Sequence, residues 1–296
     1  MTRANPSELL IRQRLGALGR ALPRARKGDV AAVHSARVAT RRLREALPVL
    51  AGGKVGRKLR KRMRRLTRAL GPVRELDVAL ITLDELRASG DVGDAAIARL
   101  QQVVREERER LLIEMRSQID RCDMHKLEKT ALSATIRVSE KRRSDRRRVV
   151  QADRRAAHRG ADLQAAIRNA AGIYLPDRLH FVRVAVKKLR YAMEIARDLR
   201  GSRAMAHLRT LQRVQDVLGR IHDLEVLIAR TRAVQSTGPV RDLKLSADLD
   251  RLVRRLETEC RQLHVRYMNE RRALLTICDH VVGLAQQHRD SRASAA

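Results

Sequence analysis

"VHSARVATRRLREAL", residues 33–47, sets His34, Arg37, Arg41 and Arg44 three and four residues apart. On a helix they stand along one side, one basic group per turn of about 5.4 Å. Like charges so placed repel one another, so the row waits for something that neutralises it. Guanidinium groups take phosphate oxygens two at a time, and a lysine ammonium acts as a point charge. An imidazole in the row can donate to phosphate or be satisfied at a helix contact. The chemistry on offer is capture of a linear polyanion.

The row occurs twice. "VHSARVATRRLREALPVL" (33–50) lies over "LHFVRVAVKKLRYAMEIA" (179–196) at an offset of 146. His34 aligns with His180, Arg37 with Arg183, Arg41 and Arg42 with Lys187 and Lys188, and Arg44 with Arg190. Advancing about 100° per residue puts Ala32, Ala36, Ala39, Leu43, Leu47 and Leu50 on a core stripe opposite the bases. Val182, Ala185, Leu189, Met193 and Ala196 repeat that stripe, while Arg42 and Lys188 lie to one side of their rows. "RLTRALGPVRELDV" (65–78) also matches "RVQDVLGRIHDLEV" (213–226), at an offset of 148. A second basic segment, "RKLRKRMRRLTR" (57–68), holds eight bases and no acid around Leu59, Met63 and Leu66. Lys58, Arg62 and Arg65 share one side there; Arg65 recurs as Arg213 and Lys61 as Arg209. This segment either feeds the same polyanion or is simply a basic surface.

Turnover chemistry has little to stand on. No HExxH, CxxC or HxxxH spacing occurs, so no metal is expected. Glu75 and Asp77, echoed by Asp223 and Glu225, follow Gly71 and Gly219, where new helices are expected to begin; acids there suit the helix dipole and can hold arginines. No Gly-rich phosphate loop is present. Catalytic residues, metal and cofactor are all expected to be none.

The elements that must position the rows read as helices, four or five per half, with no period-two strand. Gly52-Gly53, Gly71-Pro72, Ser89-Gly90, Pro176, Gly201, Gly219 and Gly238-Pro239 punctuate them. Asn5, Pro6 and Glu8 form a helix start, and the segments near 94–121 and 243–270 read as long bundle helices. Residues 140–160 are charged enough to be a mobile linker or a solvated helix, and 286–296 read as a disordered tail. The 296 residues carry a net charge of +31, beyond what solubility needs, yet 44% are hydrophobic and can fill a core. A single phenylalanine, three tyrosines and no tryptophan argue against base stacking on single strands. Three separated cysteines suggest a reducing compartment. No apolar run reaches the roughly 18 residues of a membrane span, and no signal peptide stands out, so the expected location is the cytoplasm.

"HSARVATRRLR" and "HFVRVAVKKLRY", followed by "LGPVRELDV" and "LGRIHDLEV", resemble the CHAD family, the conserved histidine α-helical domain, over residues 7 to 285. The resemblance implies an all-α fold: one domain of two helical bundles (about 7–137 and 145–285) related by a pseudo-two-fold axis. It also implies a basic channel or groove for inorganic polyphosphate. Carried over by motif, the ligand residues are His34, Arg37, Arg41, Arg42 and Arg44, with His180, Arg183, Lys187, Lys188 and Arg190. Arg65 and Arg213 join them by the same route. His222 stands where Arg74 does in the first copy, and Arg220 where Pro72 does, so symmetric use of that turn is not expected. Family members are often fused to a triphosphate-processing CYTH domain; nothing here fits one, so activity from that source is not expected. The expected function is non-catalytic polyphosphate binding, with targeting to polyphosphate granules as one consequence. The alternative is a basic protein that binds nucleic acid without specificity; no membrane partner is expected, and the oligomeric state is left open.

Overall fold

The computed structural model describes residues 5–90, 93–139, 144–170, 172–202, 205–237 and 243–293. Local capping sets the first helices. Asn5 Oδ1 accepts from the Ser7 N–H at 2.9 Å and Pro6 opens α1 (Pro6–Arg26). Asp29 Oδ1 accepts from the Ala32 N–H at 2.7 Å and starts α2 (Val30–Leu50). Gly52 and Gly53, both at positive φ, turn the chain into α3 (Gly53–Ser89), which stops at left-handed Gly90. The chain continues as α4 (Asp94–Asp120), α5 (Met124–Ser139), α6 (Ser144–Ala170), α7 (Pro176–Arg200), α8 (Ala206–Thr237) and α9 (Leu243–Ala293). The described residues are all-α and contain no strand.

Three expectations are corrected. Gly71-Pro72 and Gly219 are not breaks: α3 and α8 run straight through them, so Glu75, Asp77, Asp223 and Glu225 sit inside helices. Pro72 is exposed, and the carbonyl it leaves without a donor belongs to exposed Arg68, where water can take it. From Ser144 onward, the segment read as a linker or solvated helix is the packed helix α6; residues 140–143 lie outside the described set. The tail read as disordered is helical as far as Ala293, since its Gln- and Arg-rich sequence holds no Gly or Pro after Gly283. Residues 294–296 and the Gly238-Pro239 turn lie outside the described set.

Packing divides the core into two large clusters and a small third one of Leu76, Ala79 and Val104. One large cluster holds α1–α3 together with residues of α4 and α5; the other holds α6–α9. Each borrows from the opposite half. Ile195, Ala196 and Leu199 of α7 complete the first, while Leu83, Leu86, Ile97 and Leu100 of α3 and α4 complete the second. The two sets of helices therefore pack as one body, with α2 against α7 and α3 against α8 along the seam. No described helix is long and apolar enough to cross a membrane, and Cys122, Cys260 and Cys278 are unpaired.

Helix α6 is fastened by its charges. Arg155 donates to Glu45 of α2 at 2.6 and 2.9 Å. Arg148 is buried and donates to Thr135 O at 2.8 Å and Leu50 O at 3.3 Å, at the C-terminal ends of α5 and α2. A cation there meets the carbonyls that a helix end leaves without donors. Replacing Arg148 with Met should lower unfolding free energy by about 3 kcal/mol, because buried carbonyls lose a charged donor. Urea denaturation followed by helical circular dichroism measures this; a loss below about 1 kcal/mol would sink the capping role.

Candidate functional site

Helices α2 and α7 turn their two basic rows toward each other across the seam, and α3 and α8 wall the space between them. The result is a cleft of about 560 Å³. From α2 it receives His34, Arg37, Arg41 and Arg42; from α7, Arg183, Lys187, Arg190 and Tyr191. Helix α3 adds Arg74 and Glu75, and α8 adds Gln212, Gln215, Arg220, His222 and Asp223. The core stripes read from the sequence hold the rows in this phase: Ala36, Leu43, Leu47, Val182 and Leu189 are all at most 1% exposed.

The middle of the cleft is cationic and short of partners. Arg37 donates weakly to Thr67 O at 3.4 Å, and neither Arg41 nor Lys187 has an ion pair or hydrogen bond among the described residues. Burial, then Arg41 and Arg183, pull the Arg37 guanidinium down to about 9. Burial, then Arg183, Arg41 and Arg37, pull the Lys187 ammonium down to about 6, against Asp223. Arg183 is lowered too, chiefly by burial; its nearest acid is Asp223 at 3.8 Å, and its buried Nε has no hydrogen-bond partner. Asp223 is itself raised by burial, against the pull of Arg183 and Lys187.

At one end the arginines are held in place. The buried Glu194 carboxylate lies 3.2 Å from Arg42, 3.2 Å from Arg190 and 3.9 Å from Arg14 of α1. Arg190 also donates to Gln212 Oε1 at 2.5 Å and lies 4.9 Å from the Tyr191 ring centre. At the other end Arg220 is taken up by Glu259 at 2.9 Å and Glu85 at 2.8 Å, which outweigh its burial and raise it. Burial and the neighbouring bases favour the neutral form of the histidines. His180 Nδ1 meets His222 Nδ1 at 3.4 Å. Burial and then Arg183 push His222 down to about 3; His34 and His180 are also lowered, first by burial and then by neighbouring bases. Among the described residues no group of three His, Cys, Asp or Glu could hold a metal ion.

Of the residues expected to bind, His34, Arg37, Arg41, Arg42, Arg183, Lys187 and Arg190 come together, with His180 at the rim through His222. Arg209 and Arg213 line an adjoining hollow that shares Arg42, Arg190 and Gln212 with the cleft; Arg213 also reaches Glu270 at 3.4 Å. Arg44 does not line the cleft; it is half-buried and lowered by burial, against Glu45, with Arg60 and Arg64 of α3 and Arg41 as neighbouring bases. Lys188 does not line the cleft. Neither do Lys58, Arg62 and Arg65. The face of α3 turned to α2 carries Thr67, Gly71 and Arg74, and by helical phase those three bases stand about 120–180° away from it. The acids after Gly71 and Gly219 do hold arginines, though not at helix starts: Asp77 accepts from Arg108 at 2.7 Å and Glu75 lies 3.6 Å from Arg230. Sequence reasoning missed Arg14 and Glu194. Glu194 had a signal, an acid in phase with the basic row one turn after Arg190; Arg14 had none.

The CHAD domain model matches residues 9–232. This chain belongs to the CHAD family. Among the solved structures that share its fold are a plant protein and a Streptomyces protein. The CHAD domain from the plant Ricinus communis is 20% identical, with 88% of this chain and 90% of that chain covered and a TM-score of 0.60. PptA from Streptomyces chartreusis is 15% identical, with 90% and 97% covered and a TM-score of 0.62. At these identities the likeness speaks for the fold. None of the curated proteins matches significantly.

Two predictions follow from the cleft of this CHAD protein. A Cβ on Gly71 would lie 2.6 Å from Arg37 Nη1, so the helix-interior glycine makes room for that guanidinium. Gly71→Ala should leave the melting temperature unchanged or higher, since alanine is the better helix former by about 1 kcal/mol. Polyanion affinity should fall about tenfold as Arg37 is displaced; titration and thermal melts on one sample check both. The second concerns pH. Burial and neighbouring bases favour the neutral form of Lys187, with a folded value of about 6, and an anion bound beside it would restore its charge, so such binding would take up a proton and weaken as pH rises. Polyanion affinity should fall about tenfold between pH 6 and 8. Lys187→Met should flatten that dependence; an equally steep profile in the variant would rule this lysine out.

Proposed function

We propose that this protein binds inorganic polyphosphate along the α2–α7 cleft and does not transform it. The observation that carries this reading is the convergence of Arg37, Arg41, Arg183 and Lys187 from two rows spaced one base per turn, with Asp223, 3.8 Å from Arg183, as the one acid within ion-pair reach of the four among the described residues. A chain of linked phosphates supplies repeating negative charge without bulk, which two facing rows can grip from both sides. Family membership supports the same reading.

The surroundings favour a chain over a compact phosphate. Beyond Arg42 the cleft meets two hollows, of about 710 Å³ toward Arg209 and Arg213 and about 400 Å³ toward Arg14 and Arg20. A long polyphosphate can continue into them; pyrophosphate or a nucleoside triphosphate fills only the centre. Cytoplasmic residence at polyphosphate granules follows as part of the proposal, with a fluorescent fusion as its test.

The decisive experiment displaces labelled long-chain polyphosphate with duplex DNA, RNA, triphosphate or unlabelled polyphosphate at near-physiological salt. Polyphosphate should hold against excess nucleic acid and triphosphate. Arg37→Ala combined with Arg183→Ala should weaken it at least thirtyfold, about 2 kcal/mol. Displacement by DNA at matched phosphate concentration would mean that generic charge, not the cleft, holds the ligand.

A further inference from the structure

The N-terminal third of α3 carries charge that the cleft does not use. Between Lys54 and Arg68 the chain has nine Lys and Arg and no acid. Among the described residues none of the nine forms an ion pair or a side-chain hydrogen bond. Arginines elsewhere are treated differently: those at 26, 108, 155, 200, 220 and 230 all meet carboxylates. A stretch kept free of acids inside a protein of this charge is a surface held open for an anion.

The shape of the patch says which anion. Leu59, Met63 and Leu66 are buried and hold the helix against the first core. The bases radiate from the opposite side. Arg60 and Arg64 lie on the flank nearer α2, Lys61 and Arg68 on the crest, and Lys58 and Arg65 on the flank away from α2, spanning about 160° of arc. All six are exposed. From Lys54 to Arg68 the patch is about 21 Å long. The cleft rows, by contrast, are single lines of bases suited to one chain of phosphates.

We infer that this half-cylinder of α3 is a docking surface for duplex nucleic acid, separate from the cleft. A helix is about 10–12 Å across and the major groove of B-DNA is about 12 Å wide, so bases on two flanks meet two phosphate backbones at once. Contact with phosphates alone gives binding without sequence preference. Other polyanions fit the patch less well. Insertion into a lipid surface needs a free apolar face, and here that face is buried, with only Val55, 41% exposed, as an outward apolar side chain. Single strands need aromatic platforms, and residues 54–68 contain none.

The test uses the full chain with three variants. The patch variant is Lys58→Gln, Lys61→Gln, Arg65→Gln, Arg68→Gln; glutamine keeps helix propensity. The control removes equal charge from exposed positions on α9: Arg254→Gln, Arg261→Gln, Arg266→Gln, Arg272→Gln. The third is the cleft pair Arg37→Ala, Arg183→Ala. Each is titrated by anisotropy with a labelled 24-base-pair duplex across a salt series, with labelled polyphosphate, and with vesicles of one-third phosphatidylglycerol. The patch variant should lose at least tenfold in duplex affinity and about three units of salt slope, close to one per phosphate contact removed. It should keep polyphosphate affinity within threefold, and the α9 control should keep both. The proposal is overturned if duplex affinity survives in the patch variant, if the α9 control loses as much, or if the loss falls on vesicles instead. It is also overturned if patch and cleft variants lose both ligands in parallel, which would mean one shared site. Failure of the cleft variant to lose polyphosphate would overturn the cleft reading and leave this one standing.

Discussion

Mutual repulsion among Arg37, Arg41, Arg183 and Lys187 is the constraint on which the rest of this structure depends. Four basic groups from two helices share one cleft, and burial there works against the charges of Arg37, Arg183 and Lys187. The folded state absorbs that cost in two ways. Some of the charge is relinquished: Lys187 sits near pH 6 and His222 far below its usual value. Some is balanced from the rim by Asp223, Glu75 and Glu194. The two hydrophobic clusters supply the opposing force, and because each contains residues of the other half, the seam cannot open without exposing both cores.

Order within the cleft runs from fixed ends to an open centre. Glu194 holds Arg14, Arg42 and Arg190, and Glu259 with Glu85 holds Arg220, so these long side chains have already surrendered rotamer freedom before a ligand arrives. The central bases have only Asp223, 3.8 Å from Arg183, within ion-pair reach among the described residues, and an anion there would relieve their repulsion. Gly71 belongs to the same design, since absence of a side chain there lets the Arg37 guanidinium lie against α3. Rigid arginines at the rim with strained ones at the centre favour binding by relief of repulsion over binding by rearrangement.

Charge geometry separates the two basic surfaces. A row with one base per turn presents a line, and two facing lines make a track for a single chain. Bases placed at nearly every position outside the core stripe, as in Lys54–Arg68, present a curved sheet of charge. Total charge is similar in kind in both places; the arrangement of that charge distinguishes the ligands proposed for them.

Much of this was legible in the chain itself. Wherever apolar residues recur at helical spacing and bases hold the opposite side, as in 33–50 and 179–196, the core-facing stripe fixes the phase of the row; every stripe residue named from the sequence is buried except Met193, which is partly so. The all-helical class and the helix start at Asn5 were legible for equally local reasons. Helix α3 was not. With bases around more than half its circumference, several directions are equally basic, and only packing against α2 decides that Arg74 faces the cleft while Lys58, Arg62 and Arg65 do not. Gly71-Pro72 reads locally as a break, because the carbonyl freed by Pro72 costs nothing only once it is known to face solvent. The buried hub of Glu194 with Arg14, and the fastening of α6 through Arg148, join residues far apart in the chain, where spacing carries no signal. Sequence alone determined which helices carry the charge and which side each keeps from the core; tertiary structure decided which charges meet, because repulsion and burial act through space rather than along the chain.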